Sequence, residues 1–138
     1  MIRKLFSPKV LKAAFFLMGA VLFFSNANPA WACKIGFTVL GEKKDVYKVD
    51  EMIDVKLIVE FTHRSCPIAM EATNFNVNGL EITKASEWVE TKLNKSYEKE
   101  LKLKVIGNKE GNLTLSITRD CDMGGGAGSL TFKSEPVK

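Results

Sequence analysis

Three cysteines, a single histidine and a glycine-rich stretch headed by methionine carry the reactive chemistry of this chain. They are Cys33, Cys66 and Cys121, His63, and Met123 ahead of Gly124, Gly125, Gly126 and Gly128. His63 and Cys66 are spaced so that both can stand on one turn. Oxidised, two cysteines would form a bridge. Cys66 and Cys121 lie 55 residues apart, and closing that loop contributes roughly 4 kcal/mol in the chain-entropy model. Cys33 with Cys66 is the other candidate pair. Reduced, Cys33, His63, Cys66 and Cys121 offer three thiolates and an imidazole, a set suited to zinc, to which Met70 and Met123 could add the thioethers that favour copper(I). No Cys-x-x-Cys occurs, and the cysteine, histidine and methionine order of a blue-copper loop is not met. A third chemistry is thiol exchange, with Cys33 beside Lys34, a cation that favours a nucleophilic thiolate. Three is an odd number, so at least one thiol is left for a partner, a metal, a lipid or nothing.

Enzyme machinery of the common kinds is not assembled. Asp120 and Asp122 flank Cys121 but read as solvated turn residues, and one histidine with no serine in a nucleophile context makes no hydrolytic triad. Asp122 to Ser129 lacks the Lys-Ser/Thr and following helix of a phosphate-binding loop. It reads as a glycine hairpin. Asn94-Lys95-Ser96 and Asn112-Leu113-Thr114 match the glycosylation pattern but read as turns.

The N-terminus predicts export. Arg3, Lys4, Lys9 and Lys12 precede an apolar run from Ala13 to Phe24, and a short polar stretch then reaches Ala30-Trp31-Ala32, the pattern of a cleaved signal peptide over residues 1–32. That run is 12 residues, short of the roughly 20 that cross a bilayer as a helix, so no membrane span is expected. Cleavage after Ala32 makes Cys33 the first mature residue and raises a lipid anchor there. The bulky Trp31 and the long polar region from Ser25 to Ala32 argue against it. The formal charge of +4 belongs to the signal: four of the 20 Lys and Arg precede residue 33, leaving 16 against 16 Asp and Glu. A neutral mature chain with interspersed charges lacks the basic field of a nucleic-acid binder. A periplasmic or secreted location permits disulfides.

These side chains need a scaffold, and the remaining residues 33–138 read as one all-β domain. Ile35, Phe37 and Val39 share a parity with Cys33. Val55, Leu57, Val59 and Phe61 alternate with Asp54, Lys56, Glu60 and Thr62. Val46 to Val49 reads as a short edge continuation, Asn74 to Val77 and Leu80 to Thr83 as a hairpin about Asn78-Gly79, and Glu87 to Leu93 as a further strand. Tyr97, Leu101, Leu103 and Val105 form one apolar edge and Leu113, Leu115 and Ile117 another, before a last strand with Leu130 and Phe132.

About seven short strands with regular turns resemble an immunoglobulin-like antiparallel β-sandwich, and Trp88 between Cys66 and Cys121 loosely resembles the bridge and tryptophan of such domains. Antiparallel alternation then puts the start of the first strand and the ends of the second and sixth at one pole, gathering all three cysteines, His63 and the glycine loop. The expected function is a non-enzymatic binding or assembly module for a protein partner, with no cofactor, whose functional end is built from the 63–70 turn and the 121–129 loop. The alternative is a copper-binding, zinc-binding or thiol-redox protein using Cys33, His63, Cys66, Cys121 and Met123.

Overall fold

Alternation decides the strands. Along β2 (Met52–Phe61), Ile53, Val55, Leu57, Val59 and Phe61 are buried while their neighbours are exposed or half-buried. The same rule builds β1 (Cys33–Leu40), β6 (Ser96–Val105) and β7 (Asn112–Arg119). The remaining strands are β3 (Asn74–Asn78), β4 (Leu80–Ala85), β5 (Val89–Lys92) and β8 (Gly126–Lys133), with a single 3₁₀ turn over Met70–Ala72 and no α-helix among the described residues. The computed structural model describes residues 32–62, 66–121 and 124–138. Most of the expected signal segment, His63 and Met123 lie outside them. Among the described residues no helix is long and apolar enough to cross a membrane.

The strands make two antiparallel sheets. One runs β1-β2-β6-β4, with β5 also paired to β6; the other runs β3-β7-β8. Val55, Leu57, Val59, Leu101, Leu103 and Val105 from the first sheet share one core with Leu113, Leu115, Ile117 and Phe132 from the second. Each such side chain contributes roughly 1.5–3 kcal/mol on burial. Register follows from this pattern, because a one-residue slip of β2 against β6, where Val55 faces Leu101 and Ile53 faces Leu103, would turn the apolar set to solvent. On the opposite face Lys56 pairs with Glu98 at 3.5 Å and Lys102 with Asp54 at 3.4 Å. These half-exposed pairs each contribute at most about 1 kcal/mol.

Four expectations change. Eight strands are present among the described residues instead of about seven. Asn78-Gly79 is not a hairpin turn: β3 pairs with β7 and β4 with β6, so the dipeptide turns a corner between the sheets. Gly79 is still needed there, at φ +70° and with the Leu113 side chain within 2.6 Å of where a Cβ would stand. The Val46 to Val49 strand reduces to one parallel bridge between Tyr47 and Ser134. Finally, Gly126 and Gly128 belong to β8 and not to a loop. A Cβ on Gly126 would collide with the Cys33 carbonyl oxygen, and one on Gly128 would stand 2.8 Å from Ile35 Cγ2. The two glycines let β8 of one sheet close against β1 of the other.

Candidate functional site

The cysteine pole is assembled by strand ends. Cys33 opens β1 opposite Phe61, the last residue of β2, and Arg119 closes β7 opposite Gly126, the first of β8. The connections that follow β2 and β7 therefore leave at the same end. Cys66 in the first is bonded to Cys121 in the second, with a Cα separation of 6.0 Å. Ala32 fastens the pole further, donating its N–H to the Gly125 carbonyl at 3.1 Å and accepting from the Thr62 N–H at 3.1 Å. The β5–β6 turn joins them: the Lys95 carbonyl accepts from the Phe61 N–H at 2.7 Å, and Leu93 in that turn is 78% exposed.

Arg119 is the side chain that organises this end. It is 1% exposed, and its guanidinium donates to the Ile68 carbonyl at 2.8 Å, the Ala69 carbonyl at 3.0 Å, the Met70 carbonyl at 3.4 Å and the Thr73 hydroxyl at 2.9 Å. Thr73 in turn donates to the Met70 carbonyl at 2.7 Å. The same cation stands 3.8 Å from Cys66 Sγ and lies 5.7 Å from the centre of the Phe61 ring. Backbone dipoles and an aromatic face thus replace the lost hydration of a buried charge. Its Nε has no hydrogen-bond partner among the described residues. Phe61 packs on Tyr97 with ring centres 5.6 Å apart, and the Tyr97 hydroxyl donates to Glu90 Oε2 at 2.9 Å. Loss of hydration, reinforced by the Glu90 carboxylate, pushes that phenol above its ordinary range.

The expected residues fare unequally. Cys66 and Cys121 meet as a bridge, and both remain half-buried. Cys33 is a free thiol at 1% exposure, held under the β1–β8 seam. Acylation of Cys33 would require the start of β1 to leave the core. The zinc and copper reading needs Cys66 and Cys121 as thiolates, whereas here their sulfurs are bonded to each other. Among the described residues no group of three His, Cys, Asp or Glu is placed to hold a metal. His63 and Met123, the remaining expected ligands, fall outside the described residues. Gly124, at φ +104°, turns the chain with its N–H on the Cys121 carbonyl at 3.0 Å, and Gly125 leaves room for the Arg119 backbone. Trp88 is half-buried beneath Lys99 Nζ, 5.3 Å from its ring centre.

Among the described residues, hollows open to solvent lie near both ends of β1. One of about 330 Å³ lies at the pole against Cys33, Lys34, Ile35, Thr62 and Ala127. A larger one of about 440 Å³ lies near the other end of β1, with Leu40, Asp54, Lys84, Glu100 and Lys102 among its walls. Arg119 was missed by sequence reasoning, although Leu113, Leu115 and Ile117 place it in the inward parity. No family model, no curated protein and no solved structure matches the sequence.

Proposed function

We propose that this chain is an exported, non-enzymatic binding module of immunoglobulin-like type that engages a protein partner through its bridged pole. The observation that carries this reading is the junction of the β2–β3 and β7–β8 connections by Cys66–Cys121 and Arg119. It holds two adjacent loops in one arrangement before any partner arrives, which lowers the ordering cost of binding. Strand order supports the fold assignment, since β1-β2-β6-β4 facing β3-β7-β8 corresponds to the two sheets of a constant-type immunoglobulin domain. Export is supported by the basic and apolar N-terminus and by a disulfide, which persists in oxidising compartments. Leu93, exposed at the same end, supplies an apolar contact.

Site-specific photocrosslinking in the native host tests the reading. A photoreactive residue at Pro67 or Leu93 should give a discrete adduct with another protein, and one at Val137, beside Gly107 at the opposite end, should not. Adducts of equal yield from all three positions, or from Val137 alone, would remove the pole as the binding surface. The intact mass of the exported protein reports the cleavage site in the same preparation.

A further inference from the structure

We infer that the outer face of the β3-β7-β8 sheet binds a neutral glycan, an uncharged chain of sugar residues, through rows of asparagine, serine and threonine. In-register pairing builds the rows. Asn76, Ser116 and Ser129 lie side by side across the three strands, with Asn78, Thr114 and Thr131 in the row on one side. Asn74, Thr118 and Ala127 make the row on the other. All nine are exposed or half-buried, because Val77, Leu115 and Ile117 between them take the inward parity. Both registers run without a shift, so polar groups recur about 4.8 Å apart across the strands and about 6.8 Å apart along them.

The composition of this face selects its partner. Not one of the nine positions is charged, whereas the outer face of the other sheet carries Asp54, Lys56, Glu98, Glu100, Lys102 and Lys104. A face kept only for solubility holds interspersed charge, as that one does. The nine positions include no cation to meet phosphate or carboxylate groups. Beyond the Ala127 methyl they include no aliphatic or aromatic side chain to anchor a protein or enter a lipid layer. What they offer is hydrogen bonding without charge. Each amide and hydroxyl both donates and accepts, which matches sugar hydroxyls that do the same. That capacity is largely unspent. Asn74, Asn76, Thr114, Thr118 and Thr131 make no side-chain hydrogen bond among the described residues, and the Ser116 and Ser129 hydroxyls meet each other at 3.5 Å. Of the asparagines, Asn78 is engaged, accepting from Asn108 at 3.1 Å. Lys133, opposite Asn112 in the next row, marks the charged limit of the face.

The chain as purified from its host is applied to immobilised glycans. The probes are cellulose, chitin and mannan oligosaccharides, which are neutral, beside oligogalacturonate and heparin, which are acidic. At least one neutral probe should bind, with an affinity that does not change between about 0.05 and 0.5 M sodium chloride, since no ion pair contributes. Asn76→Ala and Ser129→Ala should each weaken that binding about fivefold by removing a hydrogen-bonding group. Ser116→Glu should abolish it by setting a charge in the middle row, and Lys56→Ser on the opposite sheet should leave it unchanged. Asn76 and Ser129 are both exposed, so their variants keep the assignment testable even if Ser116→Glu does not fold. Binding to no neutral probe, preference for the acidic ones, a fall with salt, or indifference to Asn76→Ala and Ser129→Ala would overturn the inference. Sedimentation showing a dimer that these substitutions dissociate would overturn it as well, because a second copy would then occupy the face. The pole takes no part, so loss of crosslinking at Pro67 or Leu93 leaves the inference standing.

Discussion

The two ends of the sandwich are held by different means. At the cysteine end, two connections are tied by a covalent bond and by a buried cation that reaches the carbonyls of Ile68, Ala69 and Met70. At the other end an amide does comparable work. Asn108 donates to the Asn112 carbonyl at 2.6 Å and to Asn78 Oδ1 at 3.1 Å, while its own Oδ1 accepts from the Gly111 N–H at 2.8 Å and the Asn112 N–H at 3.2 Å. Nearby, the Asp50 N–H donates to the Val105 carbonyl at 2.8 Å, and Lys44 pairs with Glu51 at 3.0 Å. Hydrogen bonds and ion pairs do not respond to oxidants or reductants. A reductant could therefore act on the fastening of the cysteine end and not on that of the other.

Substitutions at each end should separate these two kinds of fastening. The largest expected loss comes from replacing Cys66 and Cys121 together by alanine, roughly 4 kcal/mol in urea unfolding, because a loop of 55 residues is no longer closed in the unfolded chain. Next is Arg119→Met, which removes the donor of the half-buried Ile68 carbonyl and the buried Thr73 hydroxyl and should lower stability by about 2 kcal/mol. Combined with the cysteine changes it should cost less than the sum, since both act on the same connection. Gly128→Val forces a side chain into Ile35 and Phe37 and should cost about 2 kcal/mol, with β1 and β8 amides exchanging faster. Asn108→Ala should cost about 1 kcal/mol and add independently to the cysteine changes, being at the far end. If Asn108→Ala proves more damaging than Arg119→Met, the contrast between the ends is inverted.

The smallest effect is a pH dependence at the amide end. The Lys44 ammonium bonded to Glu51, helped by the Lys48 amide, holds that carboxyl below its usual value against a partial loss of hydration. A carboxyl lowered on folding contributes stability that is present above its unfolded value and is lost as pH falls through its folded value. Acid titration of urea midpoints should thus show a slightly steeper fall for the unmodified chain than for Glu51→Gln. An identical slope in both would remove Glu51 from the fastening of that end.

Strand parity was the most legible feature of the sequence because period-two burial depends only on local alternation. It placed β1, β2, β6 and β7, and antiparallel alternation carried three cysteines to one end. Pairing of Cys66 with Cys121 was one of two options on sequence grounds, since spacing alone does not say which loops lie side by side. Gly126 and Gly128 were read as a loop because glycine is the ordinary residue of turns; only the neighbouring strand β1 reveals why a strand would need them. Arg119 and Lys99 stand in apolar parities, but a charged residue gives no sequence signal of an inward position. In the structure Arg119 finds carbonyls and Lys99 reaches the Ser86 carbonyl at 2.5 Å. The Asn78-Gly79 corner was misassigned because a positive-φ dipeptide serves a hairpin and a sheet-to-sheet crossing equally well.

The seam between β1 and β8 joins the first strand to the last, and that orders events as the chain emerges N-terminus first. Cys33 and Cys66 are both available before Cys121 exists to pair with either. Cys33 stands opposite Phe61 in the β1–β2 pair, and its cover includes the last strand: Gly126 of β8 closes on it, so the thiol that competes with Cys66 for Cys121 is fully enclosed only when β8 is in place.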